Sequence, residues 1–161
     1  MQKASEIVGR AVVVREGGET VGKVKDIVLD AAGRQLLGFV VSESLFSSKV
    51  APWAGVQAVG PDSVILATAA SIVKADEASE IKAVLDKDLR VRGLRLQTTT
   101  GKELGKIDDV RFDERTGAVL GYELAGGVFG RGSFMPTPLS LEIGKDLAFV
   151  GPEAEDTIAK E

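Results

Sequence analysis

Residues 18–41 read GETVGKVKDIVLDAAGRQLLGFVV, and residues 101–124 read GKELGKIDDVRFDERTGAVLGYEL. Laid over one another at an offset of 83 residues, they are identical at Gly18/Gly101, Gly22/Gly105, Lys23/Lys106, Asp26/Asp109, Asp30/Asp113, Leu37/Leu120 and Gly38/Gly121. Val21/Leu104, Val24/Ile107, Ile27/Val110, Leu29/Phe112 and Phe39/Tyr122 keep an apolar side chain. After a shift of one residue, 59–62 fall on 143–146 and 64–65 on 148–149. The chain therefore carries two repeats of one module. A period of this length is too long for a solenoid unit and suits a small domain that closes its own core.

Each repeat reads as β. Runs at 12–16, 20–30 and 35–41, and their counterparts at 94–97, 103–113 and 119–124, are rich in β-branched and apolar residues and separated by turn residues such as Gly17-Gly18, Thr100-Gly101 and Thr116-Gly117. Shorter strands are expected at 53–59, 63–67, 139–143 and 147–150. The long second strand breaks strict alternation. Its apolar positions, Val21, Val24, Ile27 and Leu29 or Leu104, Ile107, Val110 and Phe112, are spaced three, three and two in both repeats. A helix would not carry Gly22 and Gly105 inside the run, so the spacing predicts a bulged strand, bent enough to curl the sheet into a small barrel. Between the repeats, residues 75–88 place Ala78, Ile81, Val84 and Leu85 on one helical face. The expected architecture is all-β: a first barrel over 1–74, an amphipathic linker helix over 75–88, a second barrel over 89–151 and a polar tail over 152–161 with at most one helical turn.

Composition narrows the function. The 161 residues include no His and no Cys, which excludes Cys/His zinc sites, His-based triads, thiolate nucleophiles and disulfides. A net charge of -4 gives no global attraction to phosphate or anionic lipid. Glu6 and Arg10 interrupt the apolar stretch near the start, unlike a signal peptide, and no apolar run is long enough to span a bilayer. A cytoplasmic, non-catalytic protein without cofactor or metal is expected.

The pattern VGKVKDIVLD then LGFVV, repeated as LGKIDDVRFD then LGYEL, resembles the PRC-barrel family, over about residues 4–70 and 88–151. That family is named for the cytoplasmic domain of the photosynthetic reaction centre H subunit and also supplies the C-terminal domain of the ribosome maturation factor RimM. The resemblance implies a small β-barrel that serves as a non-catalytic surface for assembling other macromolecules. It implies a protein partner first; RNA or ribosome association, or a peripheral place in a membrane complex, are the alternatives, and self-association is open. The H subunit's membrane-spanning helix has no counterpart here, and the tyrosine-rich motif of RimM is reduced to Tyr122.

Several residue groups invite chemistry. Asp26, Asp30, Asp109 and Asp113 recur in both repeats but lack the spacing of a calcium loop, so they are expected to cap turns or the free amides of a bulge. The Gly-rich run from Gly121 to Ser133 lacks the Lys-Ser/Thr pair of a phosphate loop and reads as a connection between strands. Phe46 and Trp53 in the first repeat, and Phe129, Arg131 and Phe134 in the second, are of the types that carry interface energy, which makes them the candidate partner-binding residues. With so few aromatics in the chain, Trp53 and Phe134 are also expected to pack largely in the core. Arg90, Arg92, Arg95, Lys102, Lys106, Arg111 and Arg115 make the start of the second repeat the most cationic stretch, interleaved with Glu103, Asp108 and Asp109, and a solvated strand face is expected there.

Overall fold

The computed structural model describes residues 1–43, 48–87, 90–127 and 132–160. The chain opens with β1 (Gln2–Lys3) and the single turn α1 (Ala4–Ile7). The first repeat continues with β2 (Ala11–Val14), β3 (Glu19–Lys23), β4 (Asp26–Leu29), β5 (Leu36–Glu43), β6 (Ser48–Pro52), β7 (Val56–Val59), β8 (Ser63–Leu66) and β9 (Val73–Lys74). After α2 (Ser79–Asp86), the second repeat comprises β10 (Arg95–Thr98), β11 (Glu103–Phe112), β12 (Val119–Ala125), β13 (Ser133–Pro136), β14 (Leu141–Ile143), β15 (Leu147–Val150) and β16 (Ala159–Lys160). The fold is all-β, and no helix among the described residues is long and apolar enough to cross a membrane.

The duplication holds at the level of hydrogen bonding. The second repeat forms one sheet in the order β14-β15-β10-β11-β12-β13-β16. The first repeats that order in two pieces, β7-β8-β2-β3 and β4-β5-β6-β9. In both, the first strand of the repeat pairs in parallel with the last long one, β2 with β8 and β10 with β15. The strand expected over 20–30 is thus broken at Val24 and Lys25. There Val24 donates to Arg10 O (2.9 Å) and receives Gly9 N–H (2.8 Å), while Lys25 turns to Val40 O (2.7 Å). Ile107 makes the same exchange with Leu94 O and the Gly93 N–H, both at 2.8 Å, but β11 runs through it as a bulge, its register with β12 slipping between Ile107 and Asp109. The irregular apolar spacing places Leu104, Ile107, Val110 and Phe112 all at 0 % exposure despite two departures from alternation.

Short segments add to the edge of the sheet in each repeat. The segment expected as a polar tail is part of this. Pro152–Thr157 forms a 3-10 turn against β10 and β13, buries Ala154, and leads into β16, which pairs with β13 as β9 pairs with β6.

The repeats are fastened to one another. One hydrophobic cluster runs through both, from Ile7 and Val12 to Leu96, Ile107 and Tyr122. Residues counted with the first repeat in the sequence pack on the second: β1 pairs with β11, α1 buries Ala4 and Ile7 against it, and the Ser5 N–H reaches Asp109 Oδ1 (3.0 Å). In return Arg90, Val91 and Arg92, which lead into the second repeat, line a cleft of about 200 Å³ with Lys25, Asp26 and Leu29 of the first.

Helix α2 is shorter than the 75–88 expected, because Ala75–Glu77 forms a separate 3-10 turn. It covers the outer face of β4-β5-β6, where Ile81 and Val84 join Val28, Val40 and Val50 in a second cluster, with Ala78 and Leu85 half-buried beside them. It is therefore a layer of the first barrel as well as a connection.

Candidate functional site

Trp53, the chain's one tryptophan, stands where β6 leaves the sheet. Pro52 ends the strand and leads into the 3-10 turn Trp53–Gly55, which swings the indole out of the sheet. Its ring meets Phe39 edge to face, centroids 6.1 Å apart. Against the indole lies Gly117 of the second repeat: a Cβ there would sit 2.8 Å from Trp53 Cε2. The turn bearing Gly117 is held by Asp113, whose Oδ1 accepts the N–H groups of Arg115 (2.7 Å) and Thr116 (3.2 Å), and is tied to the first repeat by Gln35 Nε2, which donates to Thr116 O (2.9 Å). The hydrogen bond from the Arg115 amide holds the Asp113 carboxyl below its usual range. Trp53 is half-buried in this setting.

Two clefts flank it. One, of about 550 Å³, runs between the barrel and α2; Leu37, Pro52 and Trp53 form one wall, Ala78 and Ile81 the other, and the exposed Glu77 and Glu80 the rim. The second, about 320 Å³, lies between the repeats, bounded by Trp53, Val56, Glu114 and Arg115. The first combines an apolar floor with two exposed carboxylates at its rim. Sequence reasoning selected Trp53 but missed Leu37, Pro52, Glu77 and Glu80. The helical spacing of 78–85 was the available signal, yet it does not tell which sheet the helix covers.

Phe134 lies elsewhere, on the outer face of β13 and outside the core. Its ring covers Gly121, and the Arg111 guanidinium sits over it 4.3 Å from the centroid. Arg111 Nε also donates to Glu123 Oε2 (2.9 Å), which Lys3 Nζ approaches at 3.0 Å. Burial pushes the Glu123 carboxyl up, but the hydrogen bonds and charges of Arg111 and Lys3 outweigh it and hold it below the usual range. Neither Trp53 nor Phe134 is fully buried, and the two are not brought together. Phe46, Phe129 and Arg131 lie outside the described residues.

The aspartate candidates serve the backbone. Asp26 Oδ1 accepts the Ile27 N–H (2.8 Å), Asp30 Oδ1 those of Arg34 (2.8 Å) and Gln35 (3.3 Å), and Asp109 Oδ1 that of Val110 (2.9 Å), while Asp109 Oδ2 takes the Ser5 hydroxyl. The carboxylates thus fix turns and bulge. In the cationic stretch, Arg95 is bound twice by Glu103 (2.8 and 3.0 Å), Lys102 pairs with Glu155, and Arg111 with Glu123, so at least three of its seven cations are offset by a carboxylate.

Comparison with curated proteins finds no match. The family model described as the PRC-barrel domain matches residues 1–72 and 87–154. Both matched segments carry the same strand order, an irregularity after Gly22 and Gly105 and an aspartate-bound turn, so the chain belongs to the PRC-barrel family, with its domain in tandem.

Proposed function

We propose that the protein is a non-catalytic assembly module of the cytoplasm that binds another protein through the cleft beside Trp53. The observation that carries this reading is a half-buried tryptophan set as one wall of an apolar cleft and held in place by a turn from the other repeat. Tryptophan loses little conformational entropy on binding and contributes a large apolar surface, so it ranks among the residues that dominate interface energy. The aspartates bind backbone amides, and what the cleft offers a partner is shape and apolar area.

The test is affinity capture of tagged protein from its host, with Trp53→Ala alongside. A partner retained by the wild type and lost from a variant with an unchanged far-UV spectrum supports the reading. A partner held equally by both, or none captured by either, removes it.

A further inference from the structure

We propose that the occupant of the Trp53 cleft is a cationic amphipathic segment, one that lays an apolar face on Leu37, Pro52 and Trp53 and sets Lys or Arg side chains against Glu77 and Glu80. This rests on the protein-binding reading and gives it a chemistry.

Charge complementarity argues for it. The rim of the cleft carries Glu77 and Glu80, both exposed, and neither has a hydrogen-bond or ion-pair partner among the described residues. The helix's nearest cation, Lys82, is engaged by Asp86 at 2.6 Å, one turn further along. Glu77 also lines a second cleft together with Lys49 and Lys74, neither of which reaches ion-pair distance of it. The rim thus presents unpaired carboxylates in the same cleft as the indole, where an arriving guanidinium or ammonium meets both a carboxylate and an aromatic ring. The net charge of -4 acts in the same direction at long range, favouring encounter with a basic partner.

The form of the cleft favours a segment over a small molecule. Small-molecule sites enclose the ligand and converge polar groups on it from several sides. Here both carboxylates stand at the solvent rim, and the apolar surface is an open strip beside a helix, the layout into which an amphipathic helix docks.

Because Trp53 is the sole tryptophan, its emission reports the cleft directly. The probes are a 14-residue amidated peptide of Leu and Lys at helical spacing and the same peptide with Glu in place of Lys, titrated against the full chain and against Glu77→Lys/Glu80→Lys. The Leu/Lys peptide is expected to shift Trp53 emission and to bind about tenfold more tightly than the Leu/Glu peptide, with the preference lost in the double variant and reduced by salt. Equal binding of the two peptides, preference for Leu/Glu, no binding of either, or a preference unchanged by the double variant overturns the proposal. Thermal melts of the double variant, whose two changes are on exposed side chains, confirm that it is folded. If captured partner depends on Trp53 while the peptide preference is absent, the contact surface stands and only its cationic selectivity falls.

Discussion

Leu36 and Val119 occupy equivalent places in the two repeats, and each gives its backbone N–H to the other repeat: Leu36 to Gly117 O at 2.8 Å, Val119 to Arg34 O at 2.9 Å. Gln35 and Ala118 form the antiparallel bridge between them. Reciprocity of this kind, in which residue i meets j and the equivalent of i meets the equivalent of j, is the signature of a two-fold contact. The repeats therefore meet as the subunits of a dimer do, within one chain.

Gly117, like Gly33 on the other side, is a position where that contact leaves no room for a side chain. It has φ +76°, and a Cβ would press on both the Gln35 amide and the Trp53 indole. Gly117→Ala should combine left-handed strain with overpacking and lower stability by roughly 2–4 kcal/mol. Gly101→Ala is the control, with φ +92° and nothing within 4 Å, and should show the backbone term alone, about 1–2 kcal/mol. Urea unfolding followed by Trp53 emission separates the two; equal losses would mean that the indole does not pack against Gly117.

Tyr122 closes the same junction from below. Its ring is fully buried and its hydroxyl donates to Gly33 O in the other repeat. Burial, and then the negative charge of Asp30, push the phenol well above its usual range. The unfolded chain ionises first, so the stability this group contributes is complete below about pH 10 and is lost as pH rises beyond it. As the only tyrosine, it should show no phenolate absorbance in alkali until the protein unfolds. Tyr122→Phe should cost about 1–3 kcal/mol by leaving the Gly33 carbonyl buried without its donor.

The repeat made the strands themselves legible, since each ambiguous segment could be read against its counterpart, and the three-three-two apolar spacing marked the irregularity at Val24 and Ile107; the parallel pairing of β2 with β8 and of β10 with β15 was not legible. Two further things were not legible. Gln2–Lys3 and Ala4–Ile7 precede the repeated pattern and pack on the far repeat, so no local periodicity points to their partner. Residues 152–160 look polar because only Ala154 among them is buried, and their strand is two residues long. For the site, Trp53 was visible by residue type, whereas the rim of Glu77 and Glu80 depends on where α2 lands.

That landing place differs between equivalent faces. Strand registers match Val28, Val40 and Val50 with Arg111, Glu123 and Phe134. The first set is apolar and takes α2; the second satisfies itself through ion pairs and the Arg111–Phe134 stack. Ile81→Ala should therefore cost about 2–4 kcal/mol, as for a buried aliphatic side chain, and Leu85→Ala, half-buried at the edge of the same cluster, clearly less. Chemical denaturation of the two variants is the check; similar small losses would show α2 to be only loosely held.

The charged face of the second repeat should make stability fall in acid. Glu123 is depressed below its unfolded value by Arg111 and Lys3, so the unfolded chain takes up its proton first as pH drops. Its contribution is present above the unfolded carboxylate range and disappears as pH falls through the lower folded value. Replacing it with Gln removes the titration but keeps the shape. The stability difference between wild type and Glu123→Gln, measured by urea unfolding from pH 7 downward, should favour the wild type near neutrality and narrow below about pH 4.5. A difference constant across that range would mean that Arg111 and Lys3 do not act on Glu123 by charge, and that the stack on Phe134 alone orders this face.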